Sequence, residues 1–309
     1  MAELKVGVTL SGDQLRTGPE LEQMGYDSLW VSEHILFYGP ILEAVPQLGA
    51  LAALTTKATL GTAIFLLPLR HPTIVAKSFS TLDVISHGRM ILGIGVGGEF
   101  PKEFEASGVP VNERGPRTNE AMRVMKRLWS EDHVTHEGRF FRFSDATMAP
   151  KPVQPGGPPI VVAGRSEAAM KRAARLGDGY MPYLFTPERY RAAAELIAKE
   201  REAAGRPTDG FHWVLYQFTA LAETHEEAHR RAVVRLTRQY NQNFENLVDR
   251  YCVLGTAEQC AERLAQFVEA GVRHIIFVPI CPEEELMQHM EAYQRDVLPL
   301  VRRQTASVV

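Results

Sequence analysis

The chain has 309 residues, of which 45% are hydrophobic and 23% charged, and its formal net charge is -3. This much apolar material can form a large core, which excludes a disordered chain, a collagen and a coiled-coil rod. The slightly negative charge argues against nucleic-acid binding driven by bulk electrostatics.

The three cysteines, Cys252, Cys260 and Cys281, form no CxxC pair, and their odd number argues against a disulfide framework. A reducing, cytoplasmic compartment is therefore expected. The N-terminal sequence enters a strand-like run without the basic and apolar regions of a signal peptide. No segment reaches the ~18 apolar residues that a membrane span needs, so we expect no membrane partner.

Strand-like and helix-like segments alternate along the first hundred residues. Apolar and β-branched runs predict strands over 4–10, 27–32, 59–67 and 90–95. Apolar residues at helical spacing predict helices over 14–24, 45–56 and 72–85, and the last of these begins at a proline. The almost wholly apolar run at 59–67 is typical of a parallel strand that is buried on both faces.

The alternation stops between residues 96 and 159 and then resumes. Gly, Pro and charged residues predict a long loop over 96–115, followed by a helix over 117–129 and a possible hairpin within 133–159. After this segment we predict strands over 160–163, 178–182, 213–221 and 274–278. The predicted helices are 167–176, 187–204, 226–240, 257–270 and 283–301.

Eight strands that alternate with helices predict parallel βα units with right-handed crossovers. Eight such units close a (β/α)8 TIM barrel, and a doubly wound open sheet is the alternative. We favour the barrel because no linker divides the chain, so residues 1–309 are predicted to form one domain. Residues 96–159 are then an insertion between strands 4 and 5, at the carboxyl-terminal rim where barrel active sites lie.

Several motifs follow predicted strands. Residues 93–98 match G-x-G-x-x-G, but no helix opens there, so a close approach of the backbone to a flat ligand is favoured over a dinucleotide fingerprint. Glu33 and His34 end the second strand, and His34 is either a functional group or is satisfied by a loop carbonyl. The AGRS segment at 163–166 is either a phosphate site or an ordinary Ser N-cap.

Patterns for other chemistries are missing from the sequence. No motif of a serine hydrolase or a P-loop kinase is found. Five histidines are interpreted as surface or core residues without a metal-ligand pattern: His133, His136, His212, His225 and His229. We therefore predict no metal site.

Four segments closely resemble the bacterial-luciferase-like superfamily: GYDSLWVSEH, LGTAIFLLPLRHPTIVAKSFSTLDVISHGRMILGIGVG, PPIVVAGRSEAAMKRAARLGDGYMP and VLGTAEQCAERLAQFVEAGVRHIIF. The resemblance runs from Val6 to about Pro279, and it is closest to the F420-dependent oxidoreductase branch. It implies a (β/α)8 barrel with a flavin-shaped cofactor at the carboxyl-terminal rim and the cofactor's phosphate near the fifth strand.

The resemblance also assigns residues to roles. In relatives a non-prolyl cis peptide forms a bulge behind the ring system, and the matching bond here is Ala63–Ile64, which we predict to be cis. The matched catalytic candidates are Glu33, His34 and Glu99. The matched cofactor-binding candidates are Thr62, Ala63, Ile64, Gly97, Gly98, Ala163, Gly164, Arg165 and Ser166.

Three departures from the family pattern affect these roles. Many relatives have Trp at the position of Gly98, so the pocket is expected to be more open there. Glu99 is displaced by one residue from the glutamate proton donor of sugar-phosphate-oxidising relatives, which weakens its assignment. Glu33 stands where many deazaflavin enzymes have Asp.

The implied activity is hydride transfer between coenzyme F420 and an unidentified small organic substrate. His34 is expected to orient the substrate or move a proton, and Glu33 to set the tautomer of His34 or contact the ring. Arg70, Lys77 and Arg165 are candidates for binding the anionic tail of the cofactor. The alternatives are an FMN-dependent monooxygenase that uses molecular oxygen and a non-catalytic flavin-binding barrel. A homodimer is expected because dimers are common in similar barrels.

Overall fold

Short apolar segments form most strands of the structure, a computed structural model that describes residues 3–306. The strands are β1 (Lys5–Thr9), β2 (Ser28–Val31), β3 (Thr59–Thr62), β4 (Phe65–Leu66), β5 (Met90–Gly95), β6 (Val134–Glu137), β7 (Arg142–Ala146), β8 (Ile160–Ala163), β9 (Gly179–Met181), β10 (His212–Leu221), β11 (Val253–Gly255) and β12 (His274–Pro279).

Amphipathic and alanine-rich segments form the helices, several of which start at a proline or a capping side chain. They are α1 (Gly18–Gln23), α2 (Ala44–Leu54), α3 (Pro72–Ile85), α4 (Pro101–Ala106), α5 (Arg114–Ser130), α6 (Glu167–Leu176), α7 (Pro187–Ala203), α8 (His225–Tyr240), α9 (Val248–Tyr251), α10 (Ala257–Glu269), α11 (Leu286–Ala292) and α12 (Leu298–Gln304). Thr256 caps α10 in a capping box with Gln259, which satisfies N–H groups that the first turn leaves free. No helix within residues 3–306 is both long and apolar enough to cross a membrane.

The strands of the wall pair in parallel and close on themselves, which confirms the predicted (β/α)8 barrel. Their order is β1, β2, β3, β5, β8, β9, β10 and β12, and β12 pairs again with β1. An open doubly wound sheet would leave two unpaired edges, so that alternative is wrong. Because the eight strands are parallel, their carboxyl ends meet at one rim.

Inside the wall, a ring of apolar side chains surrounds the indole of Trp30, which is fully buried. A Cβ atom on Gly61 would lie 2.3 Å from Trp30 Cζ3, so only glycine leaves room for the indole there. Trp30 Nε1 donates to Ser28 Oγ at 2.8 Å, and Ser28 Oγ lies 2.7 Å from His274 Nε2. Burial lowers the pKa of His274 to about 3, so this histidine is neutral in the core at neutral pH.

The insertion between β5 and β8 contains more regular structure than the sequence predicts. Residues 96–115, predicted as a loop, include α4, a short 3-10 turn at Val111–Glu113 and the start of α5. The predicted hairpin is present, with β6 and β7 paired antiparallel. The short helix α4 escaped prediction because one and a half turns carry no usable periodicity.

Three other predictions need correction. The strand predicted over 59–67 is interrupted after Thr62 and resumes as β4, which pairs with β5. The closing helix predicted over 283–301 is divided into a 3-10 turn, α11, a π-helical turn at Tyr293–Val297 and α12. The three-residue strand β11, which pairs with the far end of β10, was not predicted.

Candidate active site

A cavity of about 1170 Å³ lies at the carboxyl-terminal rim of the barrel. Its floor is formed by the ends of β1 and β12 together with Tyr216 of β10, and its sides by residues 37–41 and by α8. Ser32, which follows β2, also lines it. Burial raises the pKa of Tyr216 above its usual value, so the phenol is protonated and can donate a hydrogen bond to a ligand.

His34 lies directly after β2, and its partner is Glu103 of α4. His34 Nδ1 is 3.2 Å from Glu103 Oε2 and 3.3 Å from Oε1, and Glu103 is completely buried. With Glu103 as the acceptor of this hydrogen bond, Nδ1 carries the hydrogen and Nε2 is left to act on a ligand. The ring of Phe37, a cavity residue, stacks on His34 at a centroid distance of 4.0 Å.

Glu33 does not contact His34 in this way and instead forms a buried ion pair. Arg70 donates to both carboxylate oxygens of Glu33, at 2.8 and 2.9 Å, and also to Glu43 at 2.9 Å. The backbone N–H groups of Ala44 and Leu66 donate to the same Glu33 carboxylate. Burial raises the pKa of Glu33, while the Arg70 charge and the Leu66 N–H oppose that shift.

This arrangement corrects the expectation that Glu33 sets the tautomer of His34, because Glu103 holds that position. It also removes Arg70 from the cations available to a cofactor tail, since two carboxylates already neutralise it. The sequence pattern missed Glu103 because it lies 69 residues from His34, in a segment that was predicted to be a loop.

The Ala63–Ile64 peptide bond is cis, as predicted. Ser32 Oγ donates to Ala63 O at 3.0 Å, which links this bulge to the cavity lining. Thr62 is fully buried and donates its hydroxyl to Gly93 O at 2.7 Å, so its side chain is committed to the barrel wall. The structure therefore contradicts a cofactor contact through the Thr62 side chain; cofactor contact by Ala63 and Ile64 stays a prediction.

The glycines of β5 make room for this bulge rather than for a flat ligand. A Cβ on Gly93 would lie 1.9 Å from Thr62 O, and one on Gly95 would lie 1.8 Å from Ile64 Cδ1. The interpretation of these two glycines as a ligand contact is therefore wrong. Gly97 and Gly98, which follow β5, have φ values of 62° and 108°, so they turn the rim loop in a conformation that favours glycine.

Glu99 is exposed after these glycines and accepts a hydrogen bond from Tyr183, which follows β9. Burial and the Glu99 charge raise the pKa of Tyr183, so its phenol stays protonated. The guanidinium carbon of Arg165 lies 4.8 Å from the centre of the Tyr183 ring. Glu99 and Arg165 therefore both contact Tyr183. The carboxylate that contacts His34 belongs to Glu103, not to Glu99.

The AGRS segment at 163–166 has features of both interpretations that the sequence left open. Ala163 ends β8, and Gly164 has a φ of 136°. Ser166 is an ordinary N-cap, since its side chain accepts from the Ala169 N–H at 3.3 Å. Arg165 is exposed at the rim, so its cationic group remains available to an anion, and phosphate binding here stays a prediction.

Helix α8 supplies a cluster of arginines that the sequence analysis did not single out. Four of them line the cavity: Arg230, Arg231, Arg235 and Arg238. Arg231 pairs with Glu227 at 2.6 Å and Glu285 at 3.7 Å. Among residues 3–306 the other three arginines form no ion pair, and all three are exposed. The spacing of Arg231, Arg235 and Arg238, four and three residues apart on a predicted helix, was the signal that could have revealed the cluster.

Comparison with known proteins identifies the family. A family model described as luciferase-like monooxygenase matches residues 11–274. The F420-dependent glucose-6-phosphate dehydrogenase of Microbacterium testaceum is 28% identical, covering 98% of this chain and 99% of the relative. The protein of the same name from Kineococcus radiotolerans is 29% identical, covering 97% of both chains.

Two solved structures share the fold over nearly their whole length. Monooxygenase RslO1 from Streptomyces bottropensis is 26% identical with a TM-score of 0.82, covering 96% of this chain and 99% of that one. An F420-dependent secondary alcohol dehydrogenase is 22% identical with a TM-score of 0.86, covering 97% and 99%. The match of the family model over most of the chain shows that this protein belongs to the luciferase-like monooxygenase family.

Proposed function

We propose that this protein is an F420-dependent oxidoreductase that oxidises or reduces a small organic substrate carrying an anionic group. Curated relatives named F420-dependent glucose-6-phosphate dehydrogenases, similar over almost the full chain, support the choice of cofactor and reaction class. The observation that carries the proposal is His34, held through Nδ1 by the buried Glu103 and stacked on Phe37, which lines the cavity.

The fixed tautomer of His34 defines its chemistry. In the oxidising direction Nε2 would accept the proton of the substrate hydroxyl, and in the reducing direction it would return that proton. Glu103 stabilises the imidazolium that forms, because its carboxylate lies 3.2 Å from Nδ1. Phe37 stacks on the ring and limits access of water to it.

The residues present fit a deazaflavin. The cavity, at about 1170 Å³, is larger than the roughly 300–1000 Å³ that hold a typical single ligand, so it has room for part of the cofactor together with a substrate. Ala63 and Ile64 would hold the ring system at the bulge, and Gly164, Arg165 and Ser166 would hold the phosphate. When bound, coenzyme F420 would supply a carbon that takes up or gives a hydride.

The arginines of α8 indicate the class of substrate. Arg230, Arg235 and Arg238 line the cavity without an acidic partner in the described part of the chain. Guanidinium groups bind phosphate and carboxylate through paired hydrogen bonds. We therefore propose a phosphorylated or carboxylated substrate, for which glucose 6-phosphate is the first compound to test.

A second candidate is an FMN-dependent monooxygenase. The observation that favours it is the similarity, at 26% identity, to the solved monooxygenase RslO1. The two candidates differ in the cofactor that binds, so titrating the protein with coenzyme F420 and with FMN, each followed by its fluorescence, separates them. Tighter binding of FMN would favour the monooxygenase.

The catalytic role of His34 has its own test. His34→Ala should lower turnover with coenzyme F420 by roughly 10²- to 10⁴-fold, the usual contribution of a general acid or base. Binding of the cofactor should be retained. His133→Ala, on the exposed hairpin, is the matched control and should keep full turnover. Equal turnover in His34→Ala and the wild type would reject the role of His34.

A further inference from the structure

Three potential metal ligands meet on the outer part of α8, away from the residues that line the cavity. His225 Nε2 and His229 Nδ1 each lie 3.0 Å from the same oxygen, Oδ1 of Asp249. One ligand atom from each residue lies within 4.8 Å of the other two. Four ligands around a tetrahedral zinc ion lie about 3.4 Å apart, so these atoms need only small shifts to surround one.

The helix brings the two histidines together. Residues 225–229 read HEEAH, and side chains four residues apart lie on the same face of a helix. Asp249 approaches from α9, which returns to α8 after the turn at 241–247. The segment 225–229 matches the H-E-x-x-H pattern of zinc-binding helices, which the sequence interpretation of these histidines overlooked. Asp249 lies 20 residues from His229, so the pattern does not show the third ligand.

Glu245 provides the outer partner that metal-bound histidines commonly have. Its Oε1 lies 3.6 Å from Nε2 of His229, on the side of the ring opposite Asp249. After a small approach, a carboxylate on that side would accept the second ring N–H and direct the other nitrogen at the metal. A cavity of about 340 Å³ opens beside His225 and Asp249 and is also lined by Glu262. It gives an ion access and leaves space for water as a further ligand.

We propose that His225, His229 and Asp249 bind a divalent transition-metal ion of the zinc class. Two imidazoles and one carboxylate suit zinc, cobalt or nickel better than magnesium or calcium, which prefer oxygen ligands. The ion joins α9 to the first turn of α8, the helix whose following turns carry the cavity arginines. It therefore acts as a structural clamp outside the active site.

The test uses the full-length protein after treatment with a chelator. Cobalt(II) should give the visible absorption of a site with nitrogen and oxygen ligands, and zinc should displace it. Zinc at about 100 times its dissociation constant should raise Tm by roughly 5–10 °C, whereas magnesium and calcium should not. Cofactor binding is measured separately, so that failure of the proposed function does not affect this result.

Variants identify the ligands. His225→Gln, His229→Gln and Asp249→Asn should each weaken zinc binding by more than the roughly 10- to 100-fold expected for Glu245→Gln. His133→Gln removes a histidine from another exposed histidine–aspartate pair, with its Nδ1 2.7 Å from Asp145, and should leave zinc binding unchanged. All variants replace surface residues, and their circular dichroism confirms the fold.

Three outcomes would overturn the proposal. If neither the wild type nor the His225→Gln/His229→Gln double variant binds zinc, His225, His229 and Asp249 form only solvated ion pairs. Binding that survives in that double variant would place the metal elsewhere. Strong thiolate-to-cobalt absorption would assign it to cysteines.

Discussion

Charged side chains are paired on one side of the barrel rim, whereas the described residues on the other side include unpaired arginines. Beside β2 and β4, the completely buried Glu33 is matched by Arg70 and by two backbone N–H groups. On α8, by contrast, Arg235 and Arg238 are exposed in the cavity and form no ion pair within the described residues. On the first side the charges neutralise one another without a ligand, whereas the second side presents cations that an anionic ligand can neutralise.

This difference shows that a cation near an active site is not by itself a ligand contact. Arg70 and Lys77 were predicted to attract the anionic cofactor tail. Arg70 is neutralised by Glu33 and Glu43, and Lys77 donates to the carbonyl of Ala149 at 2.5 Å. A buried carboxylate requires a partner because its desolvation is costly, and Arg70 provides it. Of the predicted cations only Arg70 is therefore neutralised, Lys77 and Arg165 stay exposed, and α8 adds arginines that were not predicted.

The largest effect is expected when the paired side is broken. Arg70→Met leaves Glu33 buried without its cation and should lower the free energy of unfolding by about 3–5 kcal/mol. Urea denaturation followed by circular dichroism measures this change. Arg238→Met is the control on the other side, and it should change stability by about 0.5 kcal/mol or less because its side chain is exposed.

The double variant Glu33→Gln/Arg70→Met keeps this prediction testable if Arg70→Met does not fold. Removing both charges should recover part of the lost stability, since no unpaired charge is then buried. Equal stability of Arg70→Met and Arg238→Met would contradict the distinction between the two sides.

The second prediction concerns the unpaired side and substrate affinity. Arg235→Met/Arg238→Met should raise KM for an anionic substrate by roughly 10- to 100-fold, because each lost charge-assisted hydrogen bond is worth about 1.5–3 kcal/mol before solvent and neighbouring charges compensate. The value of kcat should change little, as the reacting atoms lie at His34. Steady-state kinetics with glucose 6-phosphate and an uncharged alcohol separates charge recognition from general damage.

Arg231 allows paired and unpaired arginines to be compared within helix α8 itself. It lines the same cavity but already pairs with Glu227 and Glu285. Arg231→Met should therefore raise KM less than the unpaired double variant does. A larger increase for Arg231→Met would mean that pairing does not decide which arginines bind the substrate.

Much of the barrel could be predicted from the sequence because its signals are local. The predicted bounds 72–85, 90–95, 160–163 and 167–176 are those of α3, β5, β8 and α6. Proline at the start of α3 and continuous apolar runs in β5 and β8 act through neighbouring residues alone. The cis bond followed from the resemblance at Ala63–Ile64 rather than from a local signal.

The contacts that define the site could not be predicted in the same way. The pairs His34–Glu103 and Glu33–Arg70 join residues 69 and 37 positions apart, and adjacency of Glu33 and His34 in the sequence favoured the wrong partner. Glu33 and His34 follow the end of β2, where strand alternation no longer sets side-chain direction, and each pairs with a different element. Only the folded chain shows which carboxylate meets which cation.

The smallest expected effect comes from Glu22 of α1, a carboxylate held mainly by hydrogen bonds. Although burial raises its pKa, donation from the backbone of Lys57, Ala58 and Thr56 and from the Thr56 hydroxyl lowers it to about 2. Because the pKa of Glu22 is lower in the folded protein than its unfolded value of 4.5, the ionised side chain stabilises the fold above about pH 4.5. This contribution is lost as the pH falls from 4.5 towards 2. Because Glu22 is largely solvated, we expect only about 1 kcal/mol. Glu22→Gln should therefore lower stability at pH 7, and its difference from the wild type should shrink as the pH falls from 4.5 towards 2, while the exposed Glu20→Gln should show no such change. If Glu22→Gln lowered the free energy of unfolding equally at high and low pH, the shape of the Glu22 side chain and not its charge would stabilise the loop before β3.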